Sequence, residues 1–303
     1  MAKTFTDINY DWLSRGRMLE IIDPALKTVF RKYTDDDSQF FMIDGQRIHF
    51  KVEGEGEPVL LIHGSFSSVH TFDAWAKYLK RYYKVIRLDL PGFGLSGTNP
   101  RNEYSIDIAV DFINDFLHIL DTDKCHVVGS SLGGWIAWEL ALKYPKLVDK
   151  LCLIDAAGYL DSKSIPLPFK MARTPFLRSM TKYSMRRTVI EVFMRQVFND
   201  SAKVDQELVD RYYEINSIPG NPEAFVRMVN TKFIDHTHLL KTIKHPTLIM
   251  WGKQDRWLPL ANAYKFNLEI PNAELILYDG VGHIPMEECP KITSKDFRDF
   301  LRG

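Results

Sequence analysis

The chain has 303 residues, 45% of them hydrophobic, enough to bury a large core in one domain with an insertion or in two modest domains. Its 39 Lys and Arg balance its 39 Asp and Glu, so no net charge argues for a nucleic-acid partner. No apolar run reaches the roughly 18 residues of a spanning helix, the polar segment Met1–Tyr10 lacks the core of a secretory signal, and the scattered Cys125, Cys152 and Cys289 read as free thiols of a cytoplasmic protein.

Residues 1–38 stand apart as an N-terminal helical extension. Between Trp12 and Phe30, Leu13, Met18, Leu19, Ile21, Ile22, Leu26 and Val29 recur at helical spacing, and Pro24 breaks the run. Two readings fit: short helices packed on the main body, or an interfacial helix in peripheral contact with lipid. From Phe40 the period changes. Short strands are predicted over Phe40–Asp44 and Arg47–Glu53, with a glycine- and proline-rich turn to Pro58. Continuous apolar runs at Val59–Ile62, Lys84–Leu88, His126–Val128, Leu151–Ile154, Thr247–Met250 and Glu274–Leu277 read as strands covered on both faces. Helical patterns lie between them, over about Phe72–Arg81, Ser105–Leu120, Leu132–Tyr144, Leu260–Leu268 and Pro290–Leu301. This alternation predicts an α/β fold, a mostly parallel sheet with helices on both faces, built from residues 39–157 and 243–303. Residues 158–242 break it. Helical patterns at Ser179–Phe198, Val204–Ile215 and Asn221–Thr231, without a strand, read as a helical cap inserted over the sheet.

The sharpest chemical signal is Gly129-Ser130-Ser131-Leu132-Gly133, which follows a strand and opens a helix. A Gly-x-Ser-x-Gly turn there exposes the serine oxygen at the sheet edge and sets backbone N–H groups beside it. Ser131 is the candidate nucleophile, and a serine hydroxyl needs a base. His283, in the glycine-rich loop after Glu274–Leu277, is placed to supply it. The imidazole in turn needs a carboxylate to fix its tautomer. Asp255, after Thr247–Met250, fits the order Ser, Asp, His; Asp155, after Leu151–Ile154, is the second candidate. Ser65, in the loop Ile62-His63-Gly64-Ser65-Phe66, and Leu132 are the candidate oxyanion-hole N–H donors. His63 reads as structural, and Phe66 and Trp257 as lining the substrate pocket.

Together, His63-Gly64, Asp89-Leu90-Pro91-Gly92-Phe93-Gly94-Leu95-Ser96, Gly129 to Gly133, Asp255 and His283 resemble the α/β-hydrolase superfamily, from about residue 40 to the C-terminus. The resemblance implies an eight-stranded sheet, a cap after the sixth strand, and no cofactor. Two patterns are decoys. Gly92-x-Gly-x-x-Gly97 is followed by Thr98-Asn99-Pro100 rather than by a helix that could meet a pyrophosphate. His236-x-His238 has no further ligands to complete a metal site. A serine at the elbow argues against epoxide and halide chemistry, which use a carboxylate there. Ser65-Phe66-Ser67-Ser68 lacks the Gly-Pro-Gly run of many carbon–carbon-bond hydrolases of this superfamily.

In the cap, Arg173, Arg186, Arg187 and Arg195 are interleaved with Met171, Met180, Met185, Met194 and Phe193. This reads as a lid with an apolar underside and a solvated basic face. A sharper version has the Met and Phe side chains adapting to acyl chains and the basic face meeting anionic lipid. The expected activity is hydrolysis of a small-molecule carboxylic ester of short to medium chain, or a monoacylglycerol-like lipid. The alternatives are carbon–carbon bond hydrolysis of a diketone-like metabolite, or a ligand-binding protein of low turnover.

Overall fold

The computed structural model of the chain describes residues 10–43, 45–159, 167–174 and 186–303. Nine strands form one sheet: β1 (Tyr10–Ser14), β2 (Ser38–Ile43), β3 (Gln46–Glu53), β4 (Pro58–Ile62), β5 (Lys84–Leu88), β6 (Cys125–Ser130), β7 (Val148–Ile154), β8 (Thr247–Gly252) and β9 (Ala273–Tyr278). Their order is β1-β2-β3-β5-β4-β6-β7-β8-β9. The pairs β1/β2, β2/β3 and β3/β5 are antiparallel, and all others are parallel.

Alternate side chains divide the core between the two faces, as strand geometry requires. Leu60, Ile62, Val127, Leu151 and Ile249 face one cluster, while Val59, Leu61, Val128, Cys152 and Leu248 face the other. The main-body helices are α3 (Asp73–Leu79), α4 (Ile106–Ile119), α5 (Leu132–Lys143), α10 (Leu260–Glu269), the short α11 (Pro285–Glu288) and α12 (Pro290–Arg302). Helices α4, α5 and α10 cover the first face. Helices α3 and α12 cover the second, where Trp75 stacks on Phe297 at 5.2 Å and donates to Thr293 Oγ1 at 2.9 Å. Helix α5 has no polar face. Every residue from Leu132 to Ala141 is buried, because it lies between the sheet and α4. Between β7 and β8 come the described cap helices α6 (Leu167–Arg173), α7 (Arg187–Val197), α8 (Gln206–Asn216) and α9 (Asn221–Asn230). The expected helix over Ser179–Phe198 is seen from Arg187; Met180, Met185 and the rest of residues 175–185 lie outside the described residues.

The N-terminal extension corrects the sequence reading. It holds helices α1 (Arg15–Ile21) and α2 (Lys27–Tyr33), but Tyr10–Ser14 is a strand and adds a ninth to the eight implied. Five residues are too few to display an alternation, and their partner β2 lies beyond both helices in sequence. Trp12 seals the strand, its ring 4.1 Å from Phe41 and 5.5 Å from Phe50. Both helices dock: Met18, Phe30 and Tyr33 are buried with Phe40 and Leu95 of the main body and with Ile215 and Ile218 of the cap. No helix among the described residues is long and apolar enough to cross a membrane. Truncating the fully buried Phe30 to Ala is expected to cost about 3–5 kcal/mol in equilibrium unfolding; a loss near zero would mean that the extension adds nothing to stability.

Candidate active site

The carboxyl ends of the parallel strands converge, so the loops after β4, β6, β8 and β9 meet at one edge of the sheet. Between β6 and α5 the chain must reverse within one residue. Ser131 does this at φ 53° and ψ −114°, a region rarely open to a residue with a side chain. Hydrogen bonds on both sides hold it there: its N–H donates to Ile154 O at 3.0 Å, and its carbonyl accepts from Ala157 N at 2.9 Å. The flanking glycines are required by close approach. A β-carbon at Gly129 would lie 2.1 Å from Gly133 O, and one at Gly133 would lie 2.2 Å from Ile62 O.

The loop after β4 lies against this turn; a β-carbon at Gly64 would be 3.0 Å from Ser131 Cβ. His63 holds the loop. Its Nδ1 pairs with Gly64 O at 2.7 Å, and its Nε2 accepts from Leu90 N at 3.0 Å. Full burial keeps its pKa below the usual histidine value, which favours the neutral ring this pattern needs. Phe66 sits at φ 61°, and its carbonyl accepts from Asn216 Nδ2 of α8 at 2.7 Å, so the cap helps to shape this loop. Ser65 lines the pocket beside Ser131. Leu132 is the first residue of α5, so its N–H has no partner four residues back.

The candidate base and its carboxylate meet directly. His283 Nδ1 lies 2.7 Å from Asp255 Oδ2, and both side chains are buried. Asp255 Oδ1 accepts from Trp257 N at 2.7 Å and Leu258 N at 3.0 Å, so the carboxylate is locked in place. With Nδ1 donating to the carboxylate, Nε2 is left as an acceptor toward the pocket. The Trp257 ring stacks on the imidazole at 5.5 Å. Asp155 is not the histidine's partner but stands close behind: one ligand-type atom from each of Asp155, Asp255 and His283 lies within 4.8 Å of the others. Its Oδ1 accepts from Gly252 N at 3.0 Å. Complete burial and then the charge of Asp255 push its carboxyl well above the usual carboxylate range, which favours its protonated form.

Over Ser131 and His283 lies a narrow cavity of about 50 Å³, walled by Ile190, Met194 and Val197 of α7 with Phe66, Trp257 and Met286. A larger cavity of about 330 Å³ lies between α4 and the loop after β5; it touches Leu132 but neither Ser131 nor His283. The basic face expected on the cap is partly engaged within it. Arg187 pairs with Asp210 at 2.5 Å and Arg195 with Glu191 at 2.9 Å. His236 bonds the Glu139 carboxylate at 3.0 Å. The Gly92–Gly97 stretch is a turn in which a β-carbon at Gly94 would strike Asp89, the residue whose carboxylate accepts from Val69 N and Leu95 N. Sequence reasoning missed Asn216 and Glu288, which hold the Phe66 and His283 loops; neither belongs to a motif.

Asp155 sets a pH dependence. The unfolded chain ionises it near 3.8, while burial in the folded chain holds its pKa well above that. Its contribution to stability is therefore complete below that pH and is lost as pH rises through the folded value. Asp155→Asn keeps an acceptor for Gly252 and does not titrate. The melting temperature of the variant relative to wild type is expected to rise as pH increases above about 4; a constant difference would mean that folding does not raise the Asp155 pKa.

A family model for the alpha/beta hydrolase fold matches residues 57–290. The hydrolase YugF of Bacillus subtilis, whose function is uncharacterised, is 27% identical over 86% of this chain and 97% of its own. A 2-hydroxy-6-oxo-6-phenylhexa-2,4-dienoate hydrolase of Burkholderia cepacia is 29% identical over 84% of this chain and 91% of its own. Among solved structures, a meta-cleavage product hydrolase from Pseudomonas fluorescens IP01 superposes with TM-score 0.73 at 26% identity, over 85% of this chain and 95% of that one. A candidate lipase from Acinetobacter baumannii AYE superposes with TM-score 0.75 at 26% identity, over 92% of this chain and 96% of that one. With the elbow, the strand order and a match spanning most of its length, the chain belongs to the α/β-hydrolase family.

Proposed function

We propose that this hydrolase cleaves uncharged carboxylic esters with apolar acyl groups, such as short- to medium-chain or monoacylglycerol-like esters, through an acyl-enzyme on Ser131. The observation that carries this reading is the composition of the pocket. Among the described residues, no Lys, Arg, Asp or Glu lines the cavity around Ser131 and His283. A substrate carboxylate would meet no cation there, and burying it unpaired is costly. In this reading Ser131 Oγ attacks the ester carbonyl while His283 Nε2 takes its proton. Asp255 holds the imidazole and stabilises the imidazolium. The N–H groups of Ser65 and Leu132 hold the oxyanion. The tetrahedral intermediate collapses as His283 returns the proton to the leaving alcohol. Water, deprotonated by His283, then releases the acid and restores Ser131.

A second reading, carbon–carbon bond hydrolysis of a dienoate, is favoured by the named relatives, which include the Burkholderia cepacia and Pseudomonas fluorescens enzymes. Exposed Trp12 and Ile21 on the N-terminal extension, 49% and 55% accessible, support a peripheral contact with lipid. Loss of vesicle co-sedimentation in W12A/I21S would bear this out, and undiminished binding would refute it.

A p-nitrophenyl ester series from acetate to palmitate, run beside a 2-hydroxy-6-oxo-dienoate, separates the two catalytic readings. Esters should be preferred in kcat/KM by about 100-fold or more, and Ser131→Ala should lower ester turnover by about 1000-fold or more. Preference for the dienoate would move the assignment to carbon–carbon cleavage. Full ester activity in Ser131→Ala would remove the serine mechanism altogether.

A further inference from the structure

We infer that Glu288 is a positioning residue that fastens the loop carrying His283 to the cap, so that cap and base move as one unit. The inference rests on His283 acting as the base, as proposed above.

Glu288 is 3% exposed, and its carboxylate accepts three backbone N–H groups from two parts of the chain. Oε1 takes the N–H of Asp200 at 2.7 Å; Oε2 takes those of Gly282 at 2.7 Å and Asn199 at 3.1 Å. Asn199 and Asp200 follow the C-terminal end of α7, while Gly282 immediately precedes His283. Further bonds run between the same two segments. His283 N donates to Val197 O at 2.7 Å, Asn199 Nδ2 donates to Gly280 O at 3.0 Å, and Lys203 Nζ donates to the Glu288 carbonyl at 2.9 Å. The approach leaves no room for a side chain: a β-carbon at Gly282 would lie 2.2 Å from Val197 O. The neighbouring Glu287 reaches a second cap helix, α8. It bonds Arg211 and, at 2.5 Å, the Tyr212 hydroxyl of α8, and accepts from Thr71 Oγ1 at 2.6 Å.

Helix α11 thus ties α7 and α8 to the segment that aims the imidazole. Because α7 also supplies the apolar wall of the pocket, lifting its C-terminal end would drag Gly282 and His283 away from Ser131. The clasp therefore couples the Val197–Asp200 end of the cap to the position of the imidazole. In Glu288→Gln an amide NH₂ would face an N–H that the carboxylate now accepts, loosening the clasp with little change in volume.

The test is steady-state hydrolysis of the preferred p-nitrophenyl ester, the rate of Ser131 labelling by a fluorophosphonate, and thermal melting, each on Glu288→Gln and wild type. The expected result is a folded protein whose kcat and labelling rate both fall by about 10- to 100-fold, with KM within about twofold because the pocket wall is unchanged. A folded variant with kcat and labelling within about twofold of wild type would overturn the inference. If Glu288→Gln does not fold, Glu288→Asp, which keeps the charge but shortens the reach to Asn199, Asp200 and Gly282, decides: a lower kcat at constant KM supports the clasp, and an unchanged kcat overturns it. Wild type inactive on esters counts against the function proposed above, while labelling still reads the clasp, since it needs only an activated serine.

Discussion

The site depends on how closely the first turn of α5 lies against the ends of β4 and β6. Glycine at 129 and 133 lets helix and strands approach to distances that no β-carbon survives. That approach forces Ser131 into a backbone region that costs on the order of 1–3 kcal/mol. The strain persists because the surrounding hydrogen bonds to Ile154 and Ala157 over-determine the turn. It also makes the hydroxyl useful: the same geometry that strains Ser131 lifts its oxygen off the sheet and leaves the N–H of Leu132 beside it.

A second constraint lies in the two carboxyls buried behind the imidazole. They end adjacent strands. Asp255 is ringed by two loop N–H groups and the imidazole, whereas Asp155 has the N–H of Gly252. Complete burial and then the charge of Asp255 raise the Asp155 carboxyl, so its surroundings rather than its place in the strand order set its ionisation.

The cap completes the enclosure and supports the loops beneath it. Asn216 holds the Phe66 carbonyl, Glu287 reaches α8, and Glu288 joins the end of α7 to the histidine loop. Such contacts make the pocket wall and the candidate catalytic groups parts of one packed assembly. They also account for the narrowness of the cavity over Ser131, since the helices rest directly on the residues that would do the chemistry.

The sequence alone determined the alternation of strands and helices, the elbow at Ser131, and the placing of Asp255 and His283 in loops after strands. Each of these is written locally, in hydrophobic period and in glycine-rich turns, and local backbone physics carries it through to the fold. Only the tertiary structure decided the rest. Asp255 rather than Asp155 meets the imidazole because of loop N–H groups that no motif announces. Tyr10–Ser14 becomes a strand because β2, on the far side of two helices, offers it an edge. Glu288 and Asn216 are ordinary polar residues in the sequence, and their work appears only when segments 89 and 150 residues apart are brought within hydrogen-bonding distance. Contacts of that kind depend on where whole elements pack, which periodicity and turn chemistry do not encode.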